Sequence, residues 1–122
     1  MTAHRFRQTN LNSVVNIIWE ALAGDTEGDS FTLAAHSDKT VHVFGAFDGA
    51  TVSLQGSNDP LAETDPANAD WQELLDPLGN VISISANELV QILENTLHVR
   101  PVVVGGGPLT SVHVSIVGKK VR

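Results

Sequence analysis

Five histidines, fourteen carboxylates and two tryptophans are the side chains of this 122-residue chain most able to do chemistry. His4, His36, His42, His98 and His113 are scattered, and no two stand four apart as on the zinc-binding face of a helix. On strands His42 and His113 can approach each other, but spacing alone does not set them side by side. The plain reading is histidines on polar strand faces. Asp59, Glu63, Asp65 and Asp70 crowd one stretch, as oxygen ligands crowd a calcium loop. The D-x-[DN]-x-[DN]-G order of such a loop is missing, and a solvated acidic loop is the simpler account. Serines are plentiful, yet there is no G-x-S-x-G and no recognisable triad order. Nothing marks out a carboxylate pair for glycoside hydrolysis. Gly105-Gly106-Gly107-Pro108 lacks the strand–loop–helix setting of a phosphate loop. The chain has no cysteine, which removes disulfides, thiolate metal sites and Cys nucleophiles. The expectation is a protein without catalytic residues, metal or cofactor.

Charge is segregated. All the acids lie between Glu20 and Glu94, and between Gln8 and Gly118 the bases are Lys39 and Arg100, so that body carries a net −12. Arg5, Arg7, Lys119, Lys120 and Arg122 stand at the two ends and bring the total to −7. An acidic body argues against nucleic acid as a partner, because phosphate affinity comes from Lys and Arg. Basic ends can seek an acidic surface on a neighbouring subunit, or simply be solvated and frayed. No run reaches the roughly 18 apolar residues of a membrane-spanning helix. No apolar segment follows Arg5 and Arg7 as in a secretory signal. A soluble protein made inside a cell, with no membrane partner, is expected.

The elements that must position these residues read as short strands. Residues 40–57 carry two alternating runs around Asp48-Gly49, with Val41, Val43, Gly45 and Phe47 on one face and Val52 and Leu54 on the other run. Asp-Gly between alternating runs predicts a tight hairpin, since both residues tolerate positive φ. Residues 13–22 fit a helical stripe and an alternating strand, and four β-branched residues favour the strand. Residues 31–35, 71–76, 81–85, 97–104 and 110–117 read as further strands, with a turn at 36–39 and one helical turn before an extended piece in 86–95. Pro101 predicts an edge or a bulge. Residues 57–70 read as a long surface loop suited to contacts. Residues 1–12 read as an extended N-terminal arm, and 13–122 as one domain. Seven to nine short strands with little helix predict an all-β antiparallel sandwich, jelly-roll or Ig-like.

Trp19 and Trp71 read as packing residues, since a sugar-binding face usually presents several aromatics. Arg100 reads as an internal ion-pair partner of an acid such as Asp76 or Glu94, with a contact across an oligomer interface as the alternative.

An ordered set of short motifs spans nearly the whole chain: Trp19, Gly24-Asp25-Thr26, Val41 to Phe47, Gly56 to Asp59, Trp71, Asp76 to Asn80, and Val99-Arg100-Pro101. In this order they resemble a class of small bacteriophage virion structural proteins of the capsid decoration, or cement, type. The stretch 60–70 is longer here than that pattern. The resemblance implies a homotrimer bound to the major capsid protein or another virion protein, made in the host cytoplasm and located on the capsid surface. A tail location is the neighbouring alternative. A second, shorter likeness joins Leu54-Gln55-Gly56-Ser57-Asn58-Asp59 and Trp71 to His98-Val99-Arg100-Pro101. It is similar to discoidin-type jelly rolls, which bind carbohydrate, although Pro60 stands where those have Gly. For a partner contact the sequence offers Arg5, Phe6 and Arg7 on the arm, where an aromatic can anchor and bases can steer, and Asp59 and Asp65 on the acidic loop.

Overall fold

The computed structural model describes residues 3–4, 6–11, 13–32 and 36–120. Its strands are β1 (Ala3–His4), β2 (Phe6–Leu11), β3 (Val14–Leu22), β4 (Thr26–Gly28), β5 (Phe31–Thr32), β6 (His36–Ala46), β7 (Ala50–Ser57), β8 (Gln72–Glu73), β9 (Ser83–Ile84), β10 (Glu88–Ile92), β11 (His98–Gly105) and β12 (Ser111–Lys120). The one helical element among the described residues is a single turn, α1 (Leu61–Thr64). The strands form two sheets packed face to face, an all-β sandwich as the alternation predicts. One sheet runs β10-β6-β12-β3-β2. The other runs β1-β4-β11-β7-β8, with β5 added to β11 and β9 to β7. Every pairing is antiparallel except β1 with β4.

Period-2 alternation puts one face of each long strand into the space between the sheets. Val15, Ile17, Trp19, Val41, Val43, Val112, Val114 and Ile116 fill it from one sheet, and Val52, Leu54, Val99 and Val103 from the other. The strand reading of 13–22 holds, with a break near its end. Ala21 has φ 54°, the pairing with β12 shifts between Val112 and Val114, and Leu22 rather than Ala21 turns inward.

The turn at Asp48-Gly49 has the expected positive φ at both residues, yet it does not close a hairpin. β6 pairs with β10 and β12, while β7 pairs with β11, β8 and β9. The chain arches from one sheet to the other. An apolar face is buried equally well by lying beside its neighbour or by facing it across the core, so alternation cannot tell the two apart. Backbone groups of β6 and β7 find partners elsewhere, and Val41 and Val43 face the core from the sheet opposite Val52 and Leu54. Asp48 fixes the arch. Its carbonyl accepts from the Gly107 N–H at 3.1 Å, and its Oδ2 accepts from the Leu109 N–H at 3.0 Å.

Other expectations shift in smaller ways. Residues 36–39 continue β6 instead of turning, and 86–95 holds β10 with no helical turn. Of the strand expected at 31–35, Phe31 and Thr32 form β5, while 33–35 lie outside the described residues. Pro101 sits in a central strand with no bulge. On one side β11 pairs with β5 through His98 and Val99 and with β4 through Val102 and Val103. Pro101 falls in the interval between them, where its missing N–H costs no ladder bond.

Residues 6–11 are no arm. β2 pairs along β3 from Phe6 opposite Trp19 to Leu11 opposite Val14, which makes it an edge of the sandwich. Edge-on contacts with Trp19 and Phe31 give Phe6 an apolar seat within its own chain.

Lys39 is 2% exposed at the end of the core near the 57–70 loop. Its Nζ donates to the Ser37 carbonyl at 3.3 Å and to Asn95 Oδ1. Burial pushes its pKa below the ordinary 10.5, with Asp38 and Glu94 opposing. Between the folded pKa and 10.5 the unfolded chain binds the extra proton, so this group makes stability rise with pH across that window. Below the folded pKa its contribution is constant. Lys39→Met is expected to flatten the rise in urea unfolding measured at a series of alkaline pH values. The same rise in the variant would assign it to other groups.

Candidate partner interface

The five residues offered by the sequence do not converge. Arg5 lies outside the described residues. Phe6 packs edge-on to Trp19, with centroids 5.9 Å apart, and to Phe31 at 4.9 Å. Arg7 Nε meets Glu20 Oε1 at 2.5 Å on the exposed face of the β2–β3 pair. That hydrogen bond holds the Glu20 carboxyl below its usual pKa and the Arg7 guanidinium above its own. Arg7 and Phe6 therefore serve the sandwich, one on each face of β2.

Asp59 closes the long loop. Its Oδ1 accepts from the Leu61 N–H and its Oδ2 from the Asp70 N–H, both at 3.0 Å. These two donors hold its pKa below the ordinary carboxylate value. Ser57 Oγ donates to the Asp70 carbonyl at 2.6 Å, and Ser30 Oγ to the Ala62 carbonyl at 2.9 Å, which pins α1 with Ala62 fully buried. The loop is thus a stapled cap over one end of the sandwich. Asp65 is exposed on it and accepts from Asn68 Nδ2 at 2.8 Å.

Beside the cap is a cleft of about 290 Å³, lined among others by Asn58, Asp59, Asp70, Glu73, Glu94 and Thr96. Two of its carboxylates are already used, Asp59 as above and Glu94 through Oε1, which accepts from the Leu75 N–H at 2.8 Å. No group of three or more His, Asp or Glu among the described residues has the geometry to hold a metal ion. What the cleft presents is amide and hydroxyl groups with two exposed acids, Asp70 and Glu73, a surface suited to polar contacts. Sequence reasoning found Asp59 here. It missed Glu94 and Thr96, which come from a segment some forty residues further on with no local motif.

Trp71 and Arg100 form a second feature, on the outer face of the seven-stranded sheet. The guanidinium carbon lies 4.1 Å from the Trp71 ring centroid. Arg100 Nε donates to Gln55 Oε1 at 2.9 Å, and Nη1 stands 3.4 Å from Glu27 Oε2. Its internal partner is Glu27, not Asp76 or Glu94. Asp76 caps its own turn by accepting from the Leu78 and Asn80 N–H groups. The register explains the choice: Arg100 is opposite Gln55, and Glu27 is opposite Val102, two residues on and on the same face. Burial pushes the Arg100 pKa down against the pull of Glu27. Trp71 donates Nε1–H to the Pro66 carbonyl at 3.0 Å, and one ring face is covered by Arg100, which narrows it as a sugar platform.

No protein-family model and no curated protein sequence matches the chain. The fold is similar to that of YomS, a protein derived from the SPBc2 prophage. The likeness has a TM-score of 0.59 at 14% identity and covers 90% of this chain and 97% of YomS. At that identity what is shared is the fold. Looser likenesses, each with a TM-score of 0.47, are to NMB1881 from Neisseria meningitidis, at 10% identity over 94% of this chain and 83% of that one, and to IMPa from Pseudomonas aeruginosa, at 12% identity over 93% of this chain and 13% of that one.

Proposed function

We propose that this is a bacteriophage virion structural protein of the capsid decoration type. It binds the outside of the major capsid lattice as a homo-oligomer and works through protein–protein contact without catalysis. The observation that carries the reading is the likeness to prophage-derived YomS over almost the full length of both chains. It agrees with the ordered motif set from Trp19 to Pro101, which resembles small virion proteins. The physical features fit a binding role. A stiff sandwich carries a stapled acidic loop and a polar cleft at one end, and a lattice contact needs surface of that kind more than a deep pocket.

Purified particles of the phage that encodes the chain test the proposal. Quantitative mass spectrometry is expected to find the protein in stoichiometric ratio to the major capsid protein, and gold-labelled antibody is expected to mark heads. Label confined to tails would replace the decoration reading by a tail structural one. Absence from purified particles would overturn the virion reading.

A further inference from the structure

The five-stranded sheet ends in two edges of different character. β2 carries Arg7, whose guanidinium is held on the adjacent strand by Glu20. β10 is Glu88-Leu89-Val90-Gln91-Ile92, with one charge at its start, no proline and no lysine, in unbroken register with β6. The other sheet ends on β8 and carries β9 beside it, each two residues long. Short strands, charge, proline and bulges are the usual means of blunting an edge, and β10 has almost none of them.

The free groups of β10 are identifiable. The Leu93 N–H, just past the strand, donates to the Leu75 carbonyl at 2.9 Å and so points away from β6. Alternate residues of a strand aim their backbone groups to the same side. The N–H and C=O of Leu89 and Gln91 therefore face outward, and no partner for them exists among the described residues. The flanking surface is apolar: Leu89 is 64% and Leu93 50% exposed.

We propose that two copies of the chain pair through this edge, antiparallel, about a two-fold axis at Val90, and fuse their five-stranded sheets into one of ten strands. The strand is complementary to itself in that register. Leu89 falls opposite Gln91 of the second copy on both sides of the axis, and each of these pairs exchanges two backbone hydrogen bonds, using every free group named above. Val90 meets its own counterpart. Glu88 faces Ile92 of the second copy, which leaves the two Glu88 side chains about 14 Å apart, four residues at strand rise. That exceeds the Debye length of about 8 Å at physiological salt, so the strand's acids do not oppose the pairing. A closed isologous contact also stops at two copies instead of growing along the edge.

The test uses the 122-residue chain in solution and is independent of any particle, so its outcome and that of the virion experiment are separable. Light scattering at micromolar concentration is expected to give twice the chain mass. Leu89→Lys with Gln91→Lys sets lysine opposite lysine on the solvent face, and is expected to weaken pairing at least tenfold with the urea midpoint of the monomer retained. Because the chain has no cysteine, Val90→Cys is expected to cross-link to itself on mild oxidation, since directly opposed Cα atoms lie within disulfide reach. Glu88→Cys is expected not to, at about 14 Å along the strand. A monomer mass, a trimer mass, or cross-linking of Glu88→Cys but not Val90→Cys would overturn the proposal.

Discussion

A chain lacking residues 2–11 is expected to lose about 3 kcal/mol or more of stability. The estimate combines a half-buried phenylalanine with a lost edge strand. Deletion removes the β2 ladder against β3 and takes Phe6 off Trp19 and Phe31. It also removes β1 itself, and with it the pairing to β4. Glu20 loses Arg7, a smaller effect because the pair is exposed. The contrast with Phe6→Ala separates ring from ladder: the single substitution is expected to cost about 2 kcal/mol, below a fully buried phenylalanine. Urea unfolding followed by tryptophan fluorescence measures both. An unchanged midpoint in the deleted chain would mean that β2 contributes nothing and that these residues do behave as an arm.

Trp19→Ala is expected to be the costliest single substitution, at about 3–5 kcal/mol. The indole is fully buried between β3 and β4 and donates Nε1–H to the Asp29 carbonyl at 3.0 Å. Gly28 lies against it so closely that a Cβ there would come within 2.6 Å of Trp19 Cδ1, which leaves little freedom for neighbours to fill the void. Trp19→Phe keeps most of the apolar volume but orphans the carbonyl, for a cost of about 1–3 kcal/mol. Trp71→Ala is expected to cost less than Trp19→Ala, because Trp71 is partly exposed and packs on one guanidinium. Comparable losses at the two tryptophans would contradict this assignment of Trp19 to the core and Trp71 to a surface stack.

The class of fold was legible in the sequence because it follows from local chemistry. Alternation in 13–22, 40–57 and 110–117 requires strands with one buried face, and β-branched residues decided 13–22 against a helix. Asp48-Gly49 and Gly105 to Gly107 marked the sharp turns, since those residues accept positive φ. Asp59 was offered by the sequence as a partner contact, and the hydrogen bonds that its two oxygens accept from the Leu61 and Asp70 N–H groups were not legible there.

Which strands became neighbours was settled by the tertiary structure. A period of two states that a face is buried and says nothing about what lies across from it, so Asp48-Gly49 reads as a hairpin and folds as an arch between sheets. The fate of residues 6–11 depended on an open edge of β3 and on the site that Trp19 and Phe31 make for Phe6, neither of which is encoded within that stretch. The partner of Arg100 was set by register, which brings Glu27 from about seventy residues away onto the same face, while Asp76 caps its own turn and Glu94 accepts from the Leu75 N–H. The unblunted edge of β10 was likewise invisible, because whether a strand is central or terminal depends on how many other strands reach it. Local sequence sets each segment's conformation and polarity; long-range pairing, which satisfies backbone groups and buries faces together, sets the rest.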